Sequence, residues 1–152
     1  MTLITPSEVI GAAFTPDALL PPEEILTADI AAAEVRYIRP VIGAALHHRL
    51  LAGAYPEFTA EFLREPLALF ARAVAQQRLD VRSSRIGTQA PAHAADREST
   101  RGLRLSLLRE ARALLRRASD YLDAHAGGFP EYDPHLNPLK HTTIDGGIIQ
   151  TF

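Results

Sequence analysis

Residues 34–43 read Glu-Val-Arg-Tyr-Ile-Arg-Pro-Val-Ile-Gly, and this stretch decides how the first half of the chain folds. Ahead of its proline, apolar side chains recur at the spacing of one helix face: Leu26, Ile30, Ala33 and Tyr37. Pro40 has no N–H and disfavours helix in the residue before it. We therefore predict one helix over about 23–39 that ends at Pro40, and a second over about 40–52.

The same stretch predicts a structural corner made by Tyr37, Ile38, Pro40 and Gly43. Gly43 lies about one turn after the proline, where the absence of a side chain lets the second helix approach another backbone closely. Tyr37 and Ile38 are expected to pack at this corner.

Composition indicates an all-α fold. Alanine and leucine supply 45 of the 152 residues, and both are strong helix formers. The chain has no cysteine, which excludes disulfides and thiolate metal sites. We predict a bundle of four to five helices over residues 1–128, followed by an extended tail over 129–152.

The remaining helices follow from caps and periodicity. A first helix over 5–14 is predicted from Thr5 as N-cap, Pro6 and Glu8. A helical turn over 57–64 precedes a helix over 66–82 that starts at Pro66, then a loop over 83–96. The longest helix, over 97–126 with Asp96 as N-cap, has one broad apolar face: Leu107, Leu108, Ala111, Leu114, Leu115, Ala118, Tyr121 and Leu122.

The tail differs in character from the bundle. It holds three prolines, and Asp145-Gly146 between β-branched runs predicts a β-hairpin within 141–152. We expect the tail to dock on a neighbour or partner, and deletion of 129–152 to leave the bundle folded. The candidate docking residues are Phe129, Tyr132, Ile144, Ile148, Ile149 and Phe152.

Charge is segregated along the chain. Residues 1–65 carry a net charge of −5, residues 66–117 carry +7, and residues 118–152 carry −4. Such blocks predict either local pairing, nucleic-acid affinity, or contact between the acidic and basic faces of neighbouring copies. The candidates for such contacts are Glu23, Glu24, Glu34, Arg109, Arg112 and Arg116.

Motifs for catalysis are missing from the sequence. It contains no Gly-x-Ser-x-Gly elbow and no phosphate-binding glycine loop. His47 and His48 are helix neighbours that point about 100° apart, so they do not share a metal. We assign no catalytic, cofactor or metal residue and expect no enzymatic activity. We also expect neither a signal peptide nor a membrane span.

Residues 30–53, with the core Tyr37-Ile38-x-Pro40-x-x-Gly43, resemble the head–tail connector (adaptor) proteins of long-tailed bacteriophages and prophages. The order of later elements agrees with that family: a long helix, a loop, a second long helix, and a Phe-Pro-x-Tyr segment at 129–132 leading into a tail.

The resemblance implies a structural virion protein at the head–tail interface, present in the host cytoplasm during assembly. Such proteins form a ring, typically of about twelve copies, in which each subunit contacts two neighbours. The ring joins the portal protein to the stopper or tail completion protein, extends the DNA channel, and has no cofactor.

Two other classes remain open. The first is a helical nucleic-acid-associated packaging or regulatory protein that uses the arginine-rich helix over 97–117, with steep salt dependence. The second is a small enzyme or ligand-binding bundle, which requires a pocket with convergent polar groups.

Overall fold

The first helix starts at the capping box that the sequence predicts. The computed structural model describes residues 1–15, 21–86, 94–145 and 148–151, and α1 spans Pro6–Ala13. The Thr5 hydroxyl accepts from the backbone N–H of Glu8 at 3.3 Å, and the Glu8 carboxylate accepts from the Thr5 N–H at 2.8 Å. These bonds satisfy two free donors of the helix start. The prediction for Thr5, Pro6 and Glu8 is therefore confirmed.

The helix that reaches Pro40 does not end there, which corrects the sequence prediction. α2 (Thr27–Ala33) continues through a π-helical turn (Glu34–Ile38) into α3 (Arg39–Ile42). In the π turn the Arg39 N–H donates to the Glu34 carbonyl, five residues back. A proline inside an α-helix clashes with the carbonyl four residues back, and the wider π turn moves that carbonyl aside. The helix therefore passes through the proline.

A second helix passes through a proline in the same way. α5 (Pro56–Phe58), a π-helical turn (Thr59–Leu63) and α6 (Arg64–Ile86) are continuous. The Arg64 N–H donates to the Thr59 carbonyl, again five residues back. The predicted separate segments over 57–64 and 66–82 are thus one helix, and Pro66 lies inside it rather than at its start.

Gly43, not Pro40, separates α3 from α4 (Ala44–Leu51). Its backbone has φ +85° and ψ 155°, a region that glycine alone adopts readily. A Cβ built on Gly43 meets no atom within 4 Å, so the expected close approach of another backbone is wrong. Glycine is needed at position 43 for its positive φ and not for the space it leaves.

α7 (Ala94–Ala124) is the longest helix and packs along α6. α6 and α7 both extend into the predicted loop over 83–96, and Asp96 lies inside α7 rather than at its N-cap. Residues 87–93 lie outside the described part of the chain. The predicted apolar face is confirmed for six buried residues: Leu107, Leu108, Ala111, Leu115, Ala118 and Leu122. Leu114 and Tyr121 are half-buried.

α6 forms the centre of the bundle. α1, α2 and α7 all pack on it, and its segment over 67–71 is almost completely buried. Burial of Leu63, Leu67 and Phe70 at helical spacing accounts for this central position. The described chain is an all-α fold with a short terminal strand pair.

The segment after α7 belongs partly to the bundle, which corrects the boundary predicted at residue 128. Phe129 and Tyr132 are 7% and 6% exposed and lie in the hydrophobic core. They are therefore not free to dock on a partner. Two 3₁₀ turns (Ala126–Gly128 and Pro134–Leu136) lead to a short helix, α8 (Pro138–His141).

The chain ends in two paired strands. β1 (Thr142–Asp145) runs antiparallel to β2 (Ile148–Thr151), with Ile144 opposite Ile149. The side chains of Ile144, Ile148 and Ile149 lie outside the described residues, as does Phe152, so their predicted docking role stays a prediction.

Gly43→Ala is expected to lower the free energy of unfolding by about 1–3 kcal/mol, because alanine is strained at φ +85° although its Cβ has room. Chemical denaturation measures the change. The matched control is Gly102→Ala in the exposed part of α7, where φ is not positive and space is also free. That variant is expected to gain about 0.5–1 kcal/mol from helix propensity. Equal effects at the two glycines would contradict the assignment.

Candidate functional site: an arginine-lined groove

The outer edge of α7 presents three arginines in a row. Arg109, Arg112 and Arg116 are exposed and follow the i, i+3, i+7 spacing that places side chains along one helix face. All three line an open groove of about 430 Å³. The three arginines are thus accessible to a molecule outside the chain.

The π turn of the α2–α3 helix supplies the facing wall. Tyr37 lies in the groove and stacks on Phe70, with ring centres 4.3 Å apart and planes 8° apart. Phe70 covers one face of the tyrosine ring, and the Arg36 guanidinium lies over the ring at 5.4 Å from its centre. Such a contact holds a cation over an aromatic face. Arg36 therefore joins the arginines of α7 at the same groove.

α8 supplies the third wall through Pro138 and Leu139. Asn137, which is completely buried, fixes the start of this helix. Its side-chain amide donates to the Ser119 hydroxyl at 2.7 Å and to the Tyr132 hydroxyl at 3.0 Å. Its side-chain carbonyl accepts from the Leu139 N–H at 3.0 Å. The wall is thus tied to α7 by satisfied polar groups.

The same network continues to Asp123. The Tyr132 hydroxyl donates to the Asp123 carboxylate at 3.0 Å, and Lys140 forms an ion pair with that carboxylate. Burial raises the pKa of the Tyr132 hydroxyl, and the Asp123 carboxylate beside it acts in the same direction. The hydroxyl therefore stays protonated and keeps its donor role at neutral pH.

Glu131 anchors the segment between α7 and α8 at a second point. Its carboxylate accepts from Arg49 Nε at 3.0 Å and from the Tyr55 hydroxyl at 3.0 Å. A hydrogen bond from its own backbone, with those from Tyr55 and Arg49, lowers the pKa of Glu131. The hydrogen bond to Glu131 raises the pKa of Tyr55. The anchor is therefore charged and intact at neutral pH.

The groove has an unbalanced positive charge. Its lining includes four arginines and no carboxylate. Within the described part of the chain, these arginines form no ion pair: Arg36, Arg109, Arg112 and Arg116. Guanidinium groups pair bidentately with carboxylates and phosphates. The arrangement is therefore suited to an anionic ligand.

The acidic residues predicted for inter-subunit contacts differ in their exposure. Glu23 is exposed and Glu24 is partly exposed. Glu34 is only 3% exposed; its Oε2 lies 3.1 Å from His47 Nε2, and its Oε1 accepts from the Leu3 N–H at 2.6 Å. Burial and these internal partners remove Glu34 from the surface, so its predicted contact with a neighbouring copy is wrong.

The four residues predicted to form the corner lie in different environments. Tyr37 and Pro40 line the groove, Ile38 is completely buried, and Gly43 ends the helix. Burial of Ile38 and the partial burial of Tyr37 agree with packing at the corner.

Sequence reasoning missed Arg36 and Asn137. The pair Asn137-Pro138 is a helix-start signal, a capping side chain followed by proline at the first helical position, so α8 could have been found. Arg36 carries no comparable signal because its position over the groove depends on the π turn.

Across residues 1–15, 21–86, 94–145 and 148–151, no group of three or more potential metal ligands is present. The helices of the same segments include none both long and apolar enough to span a membrane.

Comparison of the chain with protein-family models, curated proteins and solved structures gives no significant match.

Proposed function

We propose that the chain is the subunit of a head–tail connector ring. Its role would be to join a portal to a stopper or tail protein and to extend the DNA channel at the head–tail interface of a virion. The proposal starts from the resemblance of residues 30–53 to that family. The structural observation that carries it furthest is the separation of unpaired charge on the surface of the bundle.

The positive part of this surface lies on α7. It consists of exposed arginines without an ion pair among the described residues: Arg101, Arg104, Arg109, Arg112, Arg116 and Arg117. The negative part includes Glu57, Glu61 and Glu65, which are exposed at four-residue intervals on the α5–α6 helix. Each charge set is thus available to a molecule outside the chain.

Two different, complementary surfaces on one chain favour head-to-tail association. The acidic surface of one copy meets the basic surface of the next, and the series closes into a ring if the rotation between copies is right. This contact would use Arg109, Arg112 and Arg116 as the sequence predicts. Glu57, Glu61 and Glu65 replace the buried Glu34 on the acidic side.

The first part of α7 also supports an assembled state. Residues 101–106 are all exposed, and six consecutive residues exceed one helical turn. The exposed leucines Leu103 and Leu105 lie in this segment. A helix that is exposed on all sides is stabilised either by its length or by contact with a partner. The exposed leucines indicate contact with a partner, because apolar side chains at the surface often mark an interface.

Native mass spectrometry and negative-stain images of the full chain test the proposal. We expect an oligomer of one defined copy number that dissociates with added salt, since screening weakens contacts between exposed charges. Changing Arg109, Arg112 and Arg116 to Glu is expected to leave monomers.

A charge-swapped partner controls for misfolding. A variant with Arg at positions 57, 61 and 65 in place of Glu should also be monomeric, and an equal mixture of the two variants should assemble. A wild-type chain that stays monomeric at all concentrations, or a mixture that fails to assemble, would contradict association through these surfaces.

The exposed arginines of α7 also favour a second candidate function, that of a nucleic-acid-associated protein. In that case binding to duplex DNA should weaken steeply with salt, in proportion to the phosphates contacted. A flat salt dependence would exclude this candidate.

A further inference from the structure

We propose that the arginine-lined groove is a docking site for a short acidic segment of a partner protein that carries a bulky apolar side chain. The site is formed by α2–α3, α6, α7 and α8 of a single chain. Arg109, Arg112 and Arg116 also belong to the proposed contact between ring neighbours, so in an assembled ring the two contacts would compete for them. Binding of a peptide to the chain tests the groove, and the copy number tests the ring, so failure of one is distinguishable from failure of the other.

The charges of the groove indicate that its ligand is anionic. Arg36 on one wall and Arg109, Arg112 and Arg116 on the other bring four like charges to one open space without a carboxylate in the lining. Mutual repulsion raises the energy of this arrangement in the free protein, and bound anions would remove that cost. Carboxylates suit the planar guanidinium because two parallel hydrogen bonds form at once.

The walls of the groove indicate that the ligand also carries an apolar side chain. Between the arginines the lining is apolar and comes from four helices, α3, α6, α7 and α8: Pro40, Val41, Phe70, Leu115, Pro138 and Leu139. The volume of about 430 Å³ lies within the range of about 300–1,000 Å³ typical of ligand pockets. Val41, Phe70 and Leu115 are buried and form the floor, whereas Pro40, Pro138 and Leu139 are exposed or half-buried. A purely ionic ligand would leave these three in contact with water, so an apolar side chain next to the acidic ones fits better.

The same features favour a peptide over a nucleic acid. Single strands bind through bases that stack on open aromatic faces. Tyr37, the partly exposed aromatic side chain of the groove, has Phe70 stacked on one face and the Arg36 guanidinium over the ring. A sugar–phosphate backbone would satisfy the arginines but not the apolar walls. An acidic peptide with an apolar residue satisfies both.

The groove is held in shape before any ligand arrives. The Asn137 hydrogen bonds fix α8, the Tyr37–Phe70 stack fixes the π turn, and the buried face of α7 fixes the arginine row. Preformed sites lose little conformational entropy on binding. A short segment can therefore bind without first ordering the protein.

A peptide array tests the proposal on the full chain. The probes are synthetic peptides of mixed Asp and Glu with one Leu, Ile or Phe at each position in turn. Matched arrays replace the apolar residue by Ser, or the acids by Asn and Gln. We expect binding to the acidic apolar peptides, and binding at least about tenfold weaker to both matched arrays, as measured by fluorescence anisotropy.

Paired arginine variants assign the binding to the groove. Arg112→Ala with Arg116→Ala is expected to weaken the best peptide by about tenfold or more, since arginines central to an interface are often hot spots. The control is the double variant Arg104→Ala and Arg117→Ala. It removes the same amount of charge from exposed positions of α7 that do not line the groove. This control is expected to alter binding less than about threefold.

A third variant separates peptide from nucleic acid. Leu139→Ser is expected to weaken the peptide and to leave binding of a single-stranded oligothymidine unchanged, because only the peptide uses the apolar wall. Circular dichroism verifies that each variant is folded. Failure of every array peptide to bind, equal losses in the two arginine pairs, or oligothymidine binding tighter than the best peptide would each overturn the proposal.

Discussion

Replacement of Glu34 by alanine is expected to lower the free energy of unfolding by about 3 kcal/mol, although the sequence suggests a surface acid at this position. The Glu34 carboxylate is buried at the start of the π turn, 3.1 Å from His47 Nε2, and accepts from the Leu3 N–H at 2.6 Å. The variant leaves a histidine that is 8% exposed and a backbone donor without their partner. Thermal unfolding followed by circular dichroism should show a midpoint about 6–12 °C lower.

Two further variants make this prediction specific. Glu110→Ala removes an exposed acid from the middle of α7 and should change the stability by less than about 0.5 kcal/mol. The double replacement of Glu34 and His47 by leucine should recover most of the loss, because apolar pairs often replace buried ionic ones without cost. A loss below about 1 kcal/mol in Glu34→Ala, or a double variant no more stable than the single one, would show that the pair is not integral to the core.

Deletion of residues 129–152 is expected to abolish cooperative unfolding, whereas deletion of 142–152 should leave a folded bundle. The longer deletion removes Phe129 and Tyr132 from the core and Asn137 from its buried network. Loss of a buried phenylalanine side chain alone costs about 3–5 kcal/mol, a large share of the roughly 5–15 kcal/mol by which proteins are stable. This reverses the expectation drawn from the sequence, in which the whole tail was separable.

Circular dichroism and thermal unfolding distinguish the two deletions. The shorter one removes the strand pair and stops at the end of α8, so its helical signal and midpoint should stay close to those of the full chain. Phe129→Ala provides a point variant that keeps the chain length and should lose about 3–5 kcal/mol. A sharp unfolding transition at an unchanged temperature after deletion of 129–152 would contradict the placement of this segment in the core.

The helical class, the cap of α1 and the buried face of α7 could be predicted from the sequence because each depends on local pattern. Thr5 and Glu8 form their bonds within one turn, and the α7 stripe follows a regular period. The predicted loop over 83–96 is longer than the gap between α6 and α7, because the residues at its two ends lack apolar periodicity although they are helical.

The π turns explain the errors in the first half of the chain. The predicted face through Leu26, Ile30, Ala33 and Tyr37 follows α-helical phase, and Ile30 and Ala33 are buried as expected. The other buried positions of this helix are Glu34, Ile38, Val41 and Ile42. The π turn Glu34–Ile38 holds more residues than the 3.6 of an α-helical turn, so the buried face moves by one residue, from Tyr37 to Ile38. Leu26 is 45% exposed for a different reason, since it lies at the N-cap of α2 and precedes the helix.

The arginine row could be predicted, but the groove could not. The exposed side of α7 follows from its amphipathic pattern. Arg36, Tyr37 and Leu139 reach the same space only through tertiary packing of the π turn and α8 on α7. Residues separated by some seventy to one hundred positions along the chain carry no local signal of this proximity.

The two helices that pass through prolines also constrain how this sequence can change length. A π turn contains one residue more than the α-helical turn it replaces, so a single-residue deletion within Glu34–Ile38 or Thr59–Leu63 would restore an ordinary turn. That deletion would bring the ring of Pro40 or Pro66 against the carbonyl four residues earlier and rotate the following side chains by about 100°. Each proline and the extra residue before it can therefore be gained or lost only together, and homologous chains should show both or neither.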